Sequence, residues 1–142
     1  MKTVRQMLRD KSDRILSVAP DATVFEALQL MADKEVGALL VLEGGRLVGI
    51  MSERDYARKV VLLSKTSRET SVREIMTEKV MFVRPEQTVE ECMALMTEKR
   101  CRHLPVFDGD KLLGVLSIGD LVKEFISEQD YIIKQMEQYI HG

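Results

Sequence analysis

The 142-residue sequence has no tryptophan, and only 5% of it is aromatic. A surface that stacks the bases of single-stranded nucleic acid is therefore not expected. Positive charge is not in excess either. Twenty-one Lys and Arg stand against 23 Asp and Glu, a formal net charge of −2, which argues against a broad phosphate-backbone surface and so against a nucleic-acid partner. Two cysteines, Cys92 and Cys101, are too few for a disulfide framework, and their spacing fits no CxxC motif. That pattern suits a reducing compartment, and the cytoplasm is the expected location. No apolar run approaches the roughly 20 residues that cross a bilayer. The first ten residues lack the continuous apolar stretch and cleavage pattern of a secretory signal. No membrane partner is expected.

Catalytic and metal-binding constellations are missing as well. The two histidines, His103 and His141, lie far apart in sequence, and no cluster of ligands of the kind a metal needs accompanies them. Gly44-Gly45 is not followed by a Gly-Lys-Ser/Thr helix start, so it reads as a hairpin turn and not a phosphate loop. Enzymatic activity and a required cofactor are not expected. Cys92 lies on an apolar helix face and Cys101 aligns with Val36, so both read as inert, packed thiols.

What the chain does have is 45% hydrophobic and 31% charged residues, enough for one compact domain or two small halves sharing a core. It also has a repeat. Residues 18–60 align without a gap on residues 83–125 at a constant shift of 65, and 15 of the 43 positions are identical. Chance would give roughly one in twenty, so the chain contains an internal duplication. The lead-ins match too, Val4-Arg-Gln-Met-Leu against Val72-Arg-Glu-Ile-Met, but at a shift of 68. The first copy therefore carries three extra residues between about Arg9 and Leu16.

Each copy predicts the order strand, helix, strand, strand, helix. Short extended runs, Ile15–Val18 and Val80–Val83, precede a proline. Thr23-Val-Phe-Glu26 and Thr88-Val-Glu-Glu91 have the form of capping boxes, and helices follow to about Lys34 and Lys99. A strand, 38–42 or 103–107, turns at Gly44-Gly45 or Gly109 into a partner strand, 47–51 or 112–116. A second helix begins at Ser52 or Ser117. The expected fold class is α/β (α+β): two such motifs packed through their sheets with pseudo-two-fold symmetry, helices outside. The expected division is a first motif over 1–64, a polar linker over 65–71 and a second motif over 72–142. The final helix should run on to about Ile140 with a partly apolar stripe, which suits either packing on its own motif or a dimer contact.

Two corners stand out: Gly49-Ile-Met-Ser52-Glu-Arg-Asp55 and Gly114-Val-Leu-Ser117-Ile-Gly-Asp120. Each places a hydroxyl and a carboxylate at a strand-to-helix junction. A serine there caps the helix and an aspartate complements its dipole. The same groups can also hold a ligand. A carboxylate accepts two hydrogen bonds from vicinal ribose hydroxyls, and the free amides of a helix start favour phosphate or sugar oxygens. Duplication of the whole corner favours the binding role, which is compatible with the cap.

With the Arg102-His103-Leu104-Pro105-Val106 run before the second hairpin, the turn glycines Gly44 and Gly109 and the paired Gly-x-x-Ser-x-x-Asp corners, the chain resembles a tandem pair of CBS domains, or Bateman module. Ser52-Glu-Arg-Asp55-Tyr is similar to small bacterial stand-alone members. The resemblance implies a regulatory module that binds an adenosine-containing ligand (AMP, ADP, ATP, NAD or S-adenosylmethionine) in the cleft between its copies, and commonly a homodimer. By this resemblance Asp120, Ser117, Asp55 and Ser52 would hold ribose. Arg54, Arg102 and His103 would reach phosphate. The adenine would sit among Val18, Ala19, Pro20, Val83 and Pro85, with Thr77 and Val80 lining the second pocket. The ligand would relay its occupancy as a change in arrangement, read by the dimer or by a protein partner. The competing expectation is a structural or protein-interaction dimeriser that needs no ligand. The copies are not equivalent: where the second has Arg102-His103-Leu104-Pro105, the first has Gly37-Ala38-Leu39-Leu40.

Overall fold

The protein is described by a computed structural model covering residues 2–9 and 15–141. Most of the stretch expected to hold the three additional residues lies outside the described residues. The expected α/β class is present; the first copy has the expected element order, while in the second, among the described residues, no strand precedes the helix at Val89–Lys99 and the sheet has two strands instead of three. The elements in chain order are α1 (Val4–Arg9), β1 (Ser17–Val18), α2 (Val24–Lys34), β2 (Ala38–Glu43), β3 (Arg46–Ser52) and α3 (Glu53–Tyr56), which continues as a π-helical turn over Ala57–Val61. After these come α4 (Val72–Ile75), α5 (Val89–Lys99), β4 (His103–Asp108), β5 (Lys111–Ser117) and α6 (Ile118–His141). They fall into two compact units. One comprises Ile15–Val80; the other comprises Met81–Gly142 together with Met1–Arg14.

In the Ile15–Val80 unit the sheet order is β1-β2-β3, with β1 parallel and β3 antiparallel to β2. Helix α2 buries Val24, Ala27 and Met31 against Leu39 and Val41 of β2 and Met51 of β3. The apolar positions recur at helical spacing on α2, so one face meets the sheet. Thr23 caps the helix by accepting from the Glu26 amide at 3.1 Å, and Glu35 ends it in the left-handed conformation. The polar stretch after the π turn packs back on α2. The amides of Val24 and Phe25 donate to the carbonyls of Thr70 and Ser67, and Arg68 lies 3.9 Å from the centre of the Phe25 ring. Ser71 donates its amide to Glu74 at 2.7 Å, and that bond, foremost, holds the Glu74 carboxyl below its ordinary range.

The other unit repeats the plan. Strands β4 and β5 pair in the register of β2 and β3, with the bulge at the corresponding place, between Val106 and Phe107. Helix α5 buries Val89, Cys92 and Met96 against Leu104, Val106 and Leu116. Of the expected extended run Val80–Val83, only Val83 joins a strand, as a single parallel bridge to Val106. In the first hairpin Gly44 and Gly45 have φ of +59° and +81°, and in the second Gly109 has +61°. These left-handed turns match the strand twist and cost least without a Cβ.

The two lead-in helices make the same contacts, but each with the copy that does not follow it in sequence. Val4 and Arg5 donate their amides to Gln87 and Pro85, while Val72 and Arg73 donate theirs to Ala22 and Pro20. Arg5 bridges Glu86 and Asp108 at 3.1 and 3.4 Å; Arg73 bridges Asp21 and Glu43 at 3.5 and 2.8 Å. Every acceptor in one set is the 65-residue counterpart of an acceptor in the other. The sequence repeat and the compact unit are thus different divisions of the chain. Each unit is one copy's hairpin and long helix, completed by the other copy's lead-in.

Candidate functional site

Strand β3 ends in extended backbone at Ser52, and α3 starts on the next residue. The Ser52 hydroxyl accepts from the Asp55 amide at 3.2 Å, and Asp55 Oδ2 accepts from the Ser52 amide at 2.9 Å and its hydroxyl at 3.0 Å. This reciprocal box satisfies helix-start amides and leaves the carboxylate at the positive helix end. The carboxylate's other oxygen, Oδ1, lies 3.2 Å from Lys59 Nζ and accepts from Thr77 Oγ1 at 3.4 Å. Lys59 also donates to the Ile75 carbonyl at 2.9 Å. It sits in the π turn, a feature frequent at functional sites. Arg54 is exposed on α3 beside this corner.

The second corner has the same box. Ser117 donates its amide to Asp120 Oδ2 at 2.8 Å, and Asp120 donates its amide to the Ser117 hydroxyl at 3.1 Å. His103 is the cross-strand neighbour of Ser117, and the Arg102 carbonyl accepts the Ile118 amide at 2.8 Å. The structure therefore brings Arg102, His103, Ser117 and Asp120 to one strand-to-helix junction. The place corresponding to Lys59 is Glu124, which lies 3.3 Å from Lys2.

The residues expected around adenine are divided in role. Val83 is fully buried in the core; its amide donates to Pro105 and its carbonyl accepts from Phe107. Pro20 and Pro85 are buried, with their carbonyls committed to the lead-in amides. Half-buried Val18 and Val80 and exposed Ala19 keep accessible surface. Thr77, expected at the second pocket, is instead beside Asp55, because its amide and carbonyl pair with Ile50 of β3. Sequence reasoning missed Lys59 altogether. The available signal was its position four residues after Asp55 on a helix, where opposite charges meet.

Neither thiol is activated. Burial, with a smaller contribution from Glu91, pushes the Cys92 thiol up to about 11, and burial also raises that of Cys101. Among the described residues no group of three or more His, Cys, Asp or Glu side chains is placed to hold a metal ion. No helix among them is long and apolar enough to cross a membrane. On the helical side of the Ile15–Val80 unit lies an open groove of about 660 Å³, lined by Leu28, Met31, Val36 and Tyr56 with Glu35 and Glu53 alongside; neither Ser52 nor Asp55 lines it.

The profile of the CBS domain family matches this chain twice, over residues 4–62 and 72–127. The chain belongs to the CBS-domain family. It is 40% identical over 127 residues to the mitochondrial CBS domain-containing protein CBSX3 of Arabidopsis thaliana; the match covers 86% of this chain and 62% of the plant protein. Among solved structures, a CBS-domain protein from Burkholderia ambifaria superposes with a TM-score of 0.87 at 54% identity, covering 90% of this chain and 96% of that one. The CBS domain pair of protein MJ0100, solved with 5′-methylthioadenosine and S-adenosyl-L-methionine, shares the fold with a TM-score of 0.80 at 22% identity, covering 90% and 98%. This CBS pair thus has its family's duplicated form, with two corners that differ in their charged neighbours.

Proposed function

We propose that this CBS pair is a non-catalytic cytoplasmic sensor that binds an adenosine-containing ligand at its Ser-Asp corners and acts as a homodimer. The observation that carries the reading is the duplicated box. Each corner holds an aspartate at a helix start, and the second has Arg102 and His103 at the same junction. Ribose hydroxyls donate to such a carboxylate, and a guanidinium can hold a phosphate with two hydrogen bonds. Adenosyl ligands bound by a pair of the same fold support this ligand class. Binding would favour one arrangement of the protein over another, and the shifted population is the signal. AMP, ADP, ATP and NAD remain in the set alongside S-adenosylmethionine, because all present the same adenosine end.

A second reading, a ligand-independent dimeriser, is favoured by one observation. Both oxygens of Asp55 already have partners within the protein. A thermal-shift screen separates the two, because a ligand that binds only the native state raises Tm. The sensor reading expects at least one of AMP, ADP, ATP, NAD or S-adenosylmethionine to raise Tm, and Asp120→Ala to abolish that rise. If none raises the Tm of protein shown to be free of bound nucleotide, the dimeriser is the better account.

A further inference from the structure

Helix α6 is 24 residues long, about 36 Å at 1.5 Å per residue. The family match stops at residue 127, less than half-way along it. Only Leu121 of α6 belongs to the buried core, and every side chain from 129 to 140 is exposed. An isolated helix end of that length is marginal in water without tertiary packing. Yet this end carries Ile132, Ile133, Met136, Tyr139 and Ile140, at 45–92% exposure. They continue the stripe of Ile118, Val122, Phe125 and Ile126, which are 37–54% exposed.

The stripe has a defined period. Residues 118, 122, 125, 129, 132, 136 and 139 alternate steps of four and three, the seam of a coiled coil, and Ile126, Ile133 and Ile140 widen it on one flank. Its one polar member is Gln129, at the middle. The pattern is the same read in either direction from Gln129, with apolar residues three, four, seven and eleven positions away on both sides. A surface of this kind is self-complementary under a two-fold axis.

We infer that α6 is the dimer interface, pairing antiparallel with α6 of a second copy across Gln129. Ile126 then meets the partner's Ile132, Phe125 the partner's Ile133, Val122 the partner's Met136, and Ile118 the partner's Ile140. The end that has no partner in its own unit covers the exposed stripe at the start of the other helix. At roughly 150–200 Å² per fully exposed side chain of this size, the stripe amounts to about 800–900 Å², near the per-partner area of a stable interface. Its charge disfavours an anionic lipid surface as the occupant. Lys123 and Lys134 are set against five acidic residues on the helix, whereas helices that lie on membranes are basic on their polar face. The inference rests on the homodimer in the proposed function and is independent of any ligand.

Sedimentation velocity of the full chain tests it. Wild type is expected at twice 16.2 kDa, and Ile132→Glu/Ile133→Glu at the monomer mass. Tyr139→Ser/Ile140→Ser, at side chains 92% and 73% exposed, leaves the fold intact and is expected to raise the dimer Kd at least tenfold. A monomeric wild type overturns the homodimer itself. A dimer unmoved by both variants keeps the homodimer and overturns the assignment to α6. In a Cys101→Ser background, Val122→Cys with Met136→Cys is expected to give a disulfide-linked dimer while neither single cysteine does. A dimer crosslinked by either single change overturns the antiparallel pairing.

Discussion

The two Ser-Asp corners are built from the same backbone and differ in their cations. At the first, the strand starts with Gly37-Ala38 and the positive charge comes from the helix side, where Lys59 closes on Asp55. At the second, Arg102 and His103 come from the strand side, and the residue in the place of Lys59 is Glu124, drawn to Lys2. The box that caps the helix is thus common to both copies, while the electrostatic surroundings are particular to each. A duplicated fold can keep its local geometry and still offer two unlike sites, because the box needs only Ser, Asp and backbone amides.

The largest expected asymmetry concerns packing under the hairpins. A Cβ added at Gly49 would stand 2.8 Å from Met76 Sδ and 2.9 Å from the Thr77 carbonyl; at Gly114 it would meet only Leu8 Cδ2, at 3.2 Å. Backbone cannot yield as a leucine tip can. Gly49→Ala is expected to destabilise by about 2–3 kcal/mol and Gly114→Ala by less than about 1 kcal/mol, read by urea unfolding. Equal losses would show that the lead-ins seat equally tightly.

Next come the carboxylates. Asp55→Ala and Asp120→Ala each remove the carboxylate half of a capping box, the acceptor of the Ser52 or Ser117 amide, and leave the serine cap itself in place. Asp55→Ala also leaves Lys59 and Thr77 without that acceptor, so it is expected to lower Tm, and Lys59→Met is expected to lower it less. For ligand binding the larger effect is expected at the second corner. If the strand-side cations matter, Asp120→Ala abolishes the nucleotide-induced rise in Tm and Asp55→Ala only reduces it. Lys59→Met tests the first corner from the other side. Freeing Asp55 is expected to strengthen nucleotide binding there, measured by calorimetry, and unchanged affinity would show that Lys59 does not compete.

The smallest expected effect is on pH dependence. Burial raises the Cys92 thiol to about 11, so the folded state holds its proton more tightly than the unfolded chain does. The stability it confers is complete below about pH 9 and is lost as pH rises towards 11. Its counterpart, Ala27, does not titrate. Cys92→Ala is expected to flatten the fall in Tm between pH 9 and 11 and leave pH 7–8 behaviour otherwise unchanged in shape. A fall that persists in full would place the alkaline transition elsewhere.

Much of this architecture was legible in the sequence. The 65-residue repeat, the Thr caps, the turn glycines and the long α6 are local signals, and each carries its meaning in spacing alone. The corners were legible as well, since Ser and Asp three apart at a helix start make a box wherever they occur. The engagement of the residues expected around adenine was not. Val83 and the two prolines look like any strand edge, and only the fold shows that their backbone groups are already engaged. Thr77 follows the second lead-in helix in sequence, and only the fold shows that its backbone pairs with Ile50 and sets it beside Asp55.

By itself, the sequence determined the elements, the duplication and the unlike charges at the two corners, because helix periodicity, turn chemistry and capping act over a few residues. Tertiary structure alone decided which lead-in completes which copy. Helices of six and four residues are too short to hold together by themselves, so their place is set by what they pack against. Here that is the buried face under Gly49 or Gly114 and an acidic pair waiting for Arg73 or Arg5.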